Sequence, residues 1–285
     1  MFDTLIQAEE LLGLPSEEVA ILDCRFALAD PDAGKCAFLD GHVPGASHLD
    51  LARDLSGAPG GDGGRHPLPE SGAFAATLRA AGLRRHMQVV AYDDAGGPYA
   101  ARAWWMLRWL GHPAAAVLDG GWQAWQAAGG AIERGEARVR SGGDFVASAP
   151  LAQVADAGEI QASIGTDRLL VIDARSPERF AGAPDPLDPV AGHIPGARNR
   201  FYRDNLDEAE KFKSAARLQS EFAATMVGMD PEHVILQCGS GVTACHDLLA
   251  MEIAHLGGAR LYPGSWSGWI NDPMRPIVTE TASDR

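Results

Sequence analysis

The chain has 285 residues, 46% hydrophobic and 22% charged, a balance that excludes a fibrous or disordered protein and allows two buried cores. With 24 Lys and Arg against 38 Asp and Glu the formal charge is −14, which opposes bulk attraction to nucleic acid or anionic membranes, so an anionic substrate needs a local positive site. No run approaches the roughly 18 apolar residues of a membrane span, the acidic start lacks the order of a secretory signal, and Cys24, Cys36, Cys238 and Cys245 form no C-x-x-C pair, so a reduced, cytoplasmic protein is expected.

In chain order, the first aliphatic run, Val19 to Leu22, reads as a strand and is followed by Asp23-Cys24-Arg25. A turn comes next at Gly41-His42-Val43-Pro44-Gly45-Ala46, then the glycine cluster Gly57 to Gly64, which reads as a mobile turn, and the segment Gly64-Arg65-His66-Pro67-Leu68-Pro69. A second strand is expected over Val89 to Tyr92. The tryptophans that follow, Trp104, Trp105, Trp109, Trp122 and Trp125, read as packing residues. Hydrophobic periodicity lapses between Gly135 and Pro150, which predicts a linker. Beyond it a strand is expected at Leu169 to Ile172, a helix at Ala215 to Met226, a strand at Val234 to Leu236, and a helix from Thr243 to Leu256 stopped by Gly257-Gly258.

The two halves repeat each other. Ala20-Ile21-Leu22-Asp23-Cys24-Arg25 answers to Leu170-Val171-Ile172-Asp173-Ala174-Arg175, and Gly41-His42-Val43-Pro44-Gly45-Ala46 to Gly192-His193-Ile194-Pro195-Gly196-Ala197. Val89 to Tyr92 answers to Val234 to Gln237, and Gly120-Gly121-Trp122 with Trp125 to Gly264-Ser265-Trp266 with Trp269. Offsets near 145 to 150 are too long for a solenoid and indicate a duplicated domain. The expected organisation is a first domain over 1–134, a linker over 135–150 and a second domain over 151–285. Strands alternating with helices imply an α/β fold, each domain a mostly parallel sheet flanked by helices.

A duplication separates scaffold from chemistry, because only one copy needs to carry the latter. Asp23/Asp173, Arg25/Arg175 and His42/His193 occur in both copies and read as structural. Cys238 does not: its counterpart is Asp93. The run Gln237-Cys238-Gly239-Ser240-Gly241-Val242-Thr243-Ala244 reads as strand end, small-residue loop and helix start. Such a loop aims unpaired backbone N–H groups inward and adds the positive end of a helix dipole, and both favour an ionised sulfur. Gly239 and Gly241 are expected to permit the turns. Cys24, Cys36 and Cys245 lack this setting and read as inert.

The chain resembles the tandem-domain rhodanese family of sulfurtransferases over nearly its whole length. The loop Cys238-Gly239-Ser240-Gly241-Val242-Thr243-Ala244 is similar to that of its 3-mercaptopyruvate branch, with further matches at Phe38-x3-His42-Val43-Pro44-Gly45-Ala46 and Tyr262-Pro263-Gly264-Ser265-Trp266. The resemblance implies two rhodanese-like domains, the first catalytically silent. It implies that Cys238 takes sulfur from 3-mercaptopyruvate, releases pyruvate, and passes the sulfur from a persulfide to a thiol such as thioredoxin, or to cyanide, with no metal or cofactor. Thiosulfate is the alternative donor, and a persulfide carrier without turnover the non-enzymatic alternative. Arg179 matches the carboxylate-binding arginine, Ser240 the loop serine that hydrogen-bonds substrate or relays a proton, and His66 a histidine reaching the cysteine from the silent domain. Gly239, Gly241, Val242, Thr243 and Ala244 supply the loop that holds substrate and persulfide, with Thr243 bonding within the loop or capping the helix.

Two positions depart from the family pattern. The second arginine expected after Pro184-Asp185-Pro186 is Leu187, and the aspartate expected to support the histidine is Ala52, leaving Asp50 or Asp54. Rival chemistries fit less well. A cysteine phosphatase needs an arginine closing the loop, where this chain has Val242-Thr243-Ala244. A dinucleotide site needs an acidic residue near Arg260-Leu261. A zinc site of Cys238, Cys245 and His246 lacks paired spacing.

Overall fold

The computed structural model describes residues 1–136 and 142–279. The chain forms two compact units that are discontinuous in sequence: Met1–Gly57 with Pro69–Ala152 and Glu208–Phe212, and Ala58–Leu68 with Gln153–Asp207 and Lys213–Arg285. Two features differ from the boundaries expected from sequence. Residues 58–68, which carry His66, belong to the second unit. The expected linker lies outside the described residues at 137–141, while beyond it Gly143 N–H donates to Arg79 O at 2.8 Å and Phe145 is buried in the first unit against His112. A single aromatic anchor in a polar run leaves no periodicity to read.

The first unit runs β1 (Leu5–Ile6), α1 (Ala8–Leu12), β2 (Val19–Asp23), α2 (Ala33–Asp40), β3 (Ser47–His48), α3 (Ser71–Ala80), β4 (Gln88–Tyr92), α4 (Pro98–Trp109), β5 (Ala115–Leu118) and α5 (Gly121–Ala127). Its strands are all parallel in the order β1-β5-β4-β2-β3. The central strands β2 and β4 are buried along their whole length, as strands covered on both faces must be. Ile6, Val19, Phe38, Val90, Leu118 and Trp125 meet in one core cluster. Trp104 and Trp105 are buried and Trp109 stacks on Trp105, so the tryptophans pack as expected.

The second unit runs α6 (Ala157–Ser163), β6 (Leu170–Asp173), α7 (Pro177–Ala181), β7 (Arg198–Asn199), α8 (Ala215–Met226), β8 (Val234–Gln237), α9 (Thr243–Ile253), β9 (Arg260–Leu261) and α10 (Ser265–Trp269). The sheet order is β7-β6-β8-β9, again all parallel. Ile160, Val171, Ile194, Ile235, Trp266 and Trp269 form its core. Helix α9 stops at Ile253, three residues short of the sequence expectation. His255 adopts a left-handed φ of 58°, and the N–H groups of His255 and Leu256 turn back to Glu252 O and Met251 O, a Schellman closure that the glycines at 257 and 258 do not supply. Among the described residues no helix is long and apolar enough to cross a membrane.

The repeated polar residues are structural in both copies. Arg25 grips the Asp23 carboxylate and donates to Gly41 O at 2.7 Å; Arg175 grips Asp173 and donates to Gly192 O at 2.8 Å. His42 and His193 each bond a carbonyl, of Phe38 and Phe180, through Nδ1 at 2.8 Å and stack on that same phenyl ring. Each set ties the end of the first long strand of its unit to the turn ahead of Pro-Gly.

Helix α9 also buries a polar cluster. Asn205 Nδ2 donates to Asp247 Oδ1 at 2.6 Å and lies 3.1 Å from His246 Nδ1, while Arg200 Nη2 donates to Asn205 Oδ1 at 2.8 Å. Burial pushes the Asp247 carboxyl up to about 7, although the Arg200 charge and the Asn205 bond pull it down. An unfolded aspartate titrates near about 4, so the folded state holds this proton more tightly. The group therefore contributes its full stability below about pH 4 and loses it as the pH rises through about 7. Asp247→Asn is expected to remove that part of the pH dependence and to stabilise the protein above pH 7, on the order of a few kcal/mol. Urea unfolding of both proteins at pH 5 and pH 8 checks this; identical losses between the two pH values would refute it.

Candidate active site

Cys238 is the first residue after β8, an interior strand of the second sheet, and the chain then curls through Gly239 to Val242 into α9. The loop is pinned from α10. Ser265 Oγ accepts the Cys238 N–H at 3.0 Å and donates to Tyr262 O at 3.0 Å, while the N–H groups of Trp266 and Ser267 donate to Cys238 O and Gly239 O, each at 2.9 Å. Gly241 turns with φ 78°, and a Cβ there would lie 2.4 Å from Pro263 O, so only glycine fits. That turn swings the Gly241 N–H back to donate to Cys238 Sγ at 3.1 Å. Cys238 is only 2% exposed, but its sulfur meets a backbone donor rather than hydrocarbon alone.

Residues 58–68 border the same loop. Arg65 N–H donates to Ser267 Oγ at 3.1 Å, Asn271 Nδ2 to Gly61 O at 2.6 Å and Arg275 Nη2 to Asp62 at 2.8 Å, which clamps the segment to α10 and the turn after it. His66 Nδ1 lies 2.8 Å from Ser240 Oγ, two residues from the sulfur along the chain. An imidazole and a hydroxyl in this contact can pass a proton.

Arg179 projects from α7, and its Nη2 lies 3.1 Å from where a Gly239 Cβ would stand; Arg65 Nη2 lies at the same 3.1 Å. The two Nη2 atoms are thus at most about 6 Å apart and belong to like charges, which repel. Asp188 offsets this. Its buried carboxylate takes Arg179 Nη2 at 2.6 Å and a close contact from Arg65 Nη1, while Asp185 pairs with Arg179 Nε.

The candidate residues are thus brought together in part as expected and in part for other reasons. Cys238, Ser240, His66, Arg179 and the loop Gly239 to Ala244 all lie in the second unit. Gly239 does not have a left-handed backbone; its missing Cβ serves the approach of two guanidiniums instead. Thr243 does not cap α9: the N-cap is Val242, which has no polar side chain, and Thr243 is the first helical residue. Asp50 and Asp54 have local partners in the first unit, where the Asp50 carboxylate accepts the N–H groups of Ala52 and Arg53, both at 2.9 Å, and Asp54 accepts that of Asp50. Burial and the neighbouring Asp23 push the Cys24 thiol well up, consistent with an inert residue. Among the described residues no three His, Cys, Asp or Glu side chains form a metal-holding group.

Two residues escaped the sequence reading. Arg65 sat beside a residue that was singled out, with nothing to mark its direction. Ser265 carried a usable signal: it stands where the first copy has Gly121, a difference between copies inside a shared block.

The first copy shows what the loop is built to hold. Asp93 replaces the cysteine, and its carboxylate accepts four backbone N–H groups, from Ala95, Gly97, Tyr99 and Ala100, at 2.8 to 2.9 Å. Burial pushes this carboxyl above the usual range, and the amides of Ala100, Ala95 and Gly97 pull it back. The Trp122 N–H donates to Asp93 O at 2.9 Å, as Trp266 does to Cys238 O. The same loop aims backbone N–H groups at the side chain in both copies, four at the Asp93 carboxylate and that of Gly241 at the Cys238 sulfur.

The chain matches the rhodanese-like domain twice, over residues 7–128 and 156–272. It is 47% identical over 279 residues to the probable 3-mercaptopyruvate sulfurtransferase of Pseudomonas aeruginosa, covering 96% of this chain and 98% of the relative. It is 39% identical over 288 residues to the putative thiosulfate sulfurtransferase SseB of Mycobacterium tuberculosis, covering 98% of each. The crystal structure of the 3-mercaptopyruvate sulfotransferase SseA from Escherichia coli superposes with a TM-score of 0.79 at 31% identity, covering 93% of this chain and all of that one.

Proposed function

This chain belongs to the rhodanese-like family, with two such domains in tandem, and is a sulfurtransferase of the 3-mercaptopyruvate type; from that premise we propose that Cys238 is the nucleophile of a double displacement. The Cys238 thiolate attacks the thiol sulfur of 3-mercaptopyruvate. The carbon–sulfur bond breaks, its electron pair goes to carbon as the enolate of pyruvate, and the proton of the donor thiol ends on that carbon. His66 and Ser240, in contact at 2.8 Å, relay this proton. Cys238 is left as a persulfide held by the Gly241 amide, and an acceptor thiolate or cyanide then takes the outer sulfur and restores the Cys238 thiolate. Arg179 binds the donor carboxylate through its remaining donors. No step calls for a metal or cofactor.

The observation that carries this reading is the Cys238 sulfur at 3.1 Å from a loop amide, one residue away from a pair of guanidiniums. A second reading, thiosulfate as the principal donor, draws support from the Mycobacterium tuberculosis relative and from the two sets of guanidinium donors, which also suit the oxygens of a dianion. Steady-state rates with each donor, read as pyruvate release and thiocyanate formation, separate the two. The expected result is a larger kcat/KM with 3-mercaptopyruvate, and a larger value with thiosulfate selects the second reading.

A further inference from the structure

We propose that Arg65 is a donor-binding residue that grips the anionic end of the sulfur donor jointly with Arg179. The assignment rests on the proposed function and adds a residue to it from a segment more than a hundred positions away in sequence. Three observations point the same way. First, Arg65 and Arg179 bring their Nη2 atoms to the same 3.1 Å from the position of a Gly239 Cβ, so the residue next to the nucleophile carries no side chain where two cations meet. Second, that arrangement is built rather than incidental. Asp188, whose side chain is 3% exposed, ties the two guanidiniums together, Arg65 Nη1 also donates to Leu187 O at 2.9 Å, and the Arg65 backbone is held by Ser267. Third, among the described residues neither Arg65 Nη2 nor Arg179 Nη1 has a protein acceptor, and both lie within 3.7 Å of the Gly239 Cβ position.

A three-carbon α-keto acid that carries sulfur has all its oxygens at one end and the sulfur at the other. Two guanidiniums over Gly239 can take the carboxylate and the keto oxygen, which leaves the sulfur for Cys238. Arg65 thereby supplies the guanidinium donors that position 187 lacks.

The test is steady-state kinetics with 3-mercaptopyruvate on the full chain. The variants are Arg65→Ala, Arg65→Lys, Arg179→Ala and Gly239→Ala, with folding checked by circular dichroism. Arg65→Ala is expected to raise KM by about 10- to 100-fold with kcat changed much less, matching Arg179→Ala in kind. Arg65→Lys, which keeps charge but loses the planar fork, is expected to fall between. Gly239→Ala, whose new methyl group pushes at both guanidiniums, is expected to raise KM as well. Wild-type turnover with KM unmoved in Arg65→Ala would overturn the assignment and leave the proposed function standing, as would a loss confined to kcat. A wild-type protein that releases no pyruvate from 3-mercaptopyruvate would defeat the proposed function itself and take this assignment with it.

Discussion

Replacing Cys238 by serine is expected to lower kcat for sulfur transfer by at least about 10⁴-fold, with either donor, without unfolding the protein. The serine oxygen fits the same loop and accepts the same Gly241 N–H, so the fold loses little. The chemistry loses its central step, because an alcohol stays protonated where a thiol ionises and an oxygen cannot carry sulfane sulfur as a persulfide does. The amides around the site hold charge but do not create a nucleophile. Pyruvate release and thiocyanate formation in Cys238→Ser measure this directly, and activity within tenfold of wild type would remove Cys238 from the reaction.

Asp93→Ala is expected to destabilise the protein by about 2–4 kcal/mol. Four N–H groups, two of them fully buried and two partly, would lose their acceptor at once, at the base of α4 and in the loop before it. Each orphaned donor costs about 1–3 kcal/mol, reduced where water or a small backbone shift can reach it. Asp93→Asn keeps one acceptor oxygen and is expected to lose about half as much. Denaturant unfolding of the three proteins gives the comparison, and an alanine variant with an unchanged midpoint would show that the loop does not depend on its acid. The same experiment bears on the second unit, since the loop there follows the same plan around a sulfur.

Much of this arrangement was legible before any coordinates. The duplication, the strands β2, β4, β6 and β8, helix α8 and the place of Cys238 at a strand-to-helix loop all follow from periodicity and from comparing the chain with itself, because those features are local or repeated. The two-residue strands β1, β3, β7 and β9 are too short to show a period, and β5 escapes the reading as well. The repeat also separated the paired Asp, Arg and His residues, which hold turns in both units, from the one position where the copies differ in kind. What stayed hidden depends on contacts distant in sequence. The approach of Arg65 to Gly239 spans more than a hundred residues and leaves no periodic trace. The membership of residues 58–68 in the second unit rests on hydrogen bonds to Ser267 and Asn271, which a reading in chain order cannot weigh. The shared Gly-x-Trp block was visible as a repeat but not as the clamp that fixes each loop. Gly239 is a case in point: its missing side chain reads as backbone freedom in the sequence, whereas it clears space for two cations.

The most direct test of the account is peptide mass spectrometry of the wild-type protein after brief exposure to 3-mercaptopyruvate without an acceptor. The expected result is one added sulfur atom located on Cys238 by fragmentation of its peptide, none on Cys24, Cys36 or Cys245, and loss of the added sulfur when an acceptor thiol is supplied. Catalytic turnover with no sulfur on Cys238, or with sulfur accumulating on another cysteine, would contradict it.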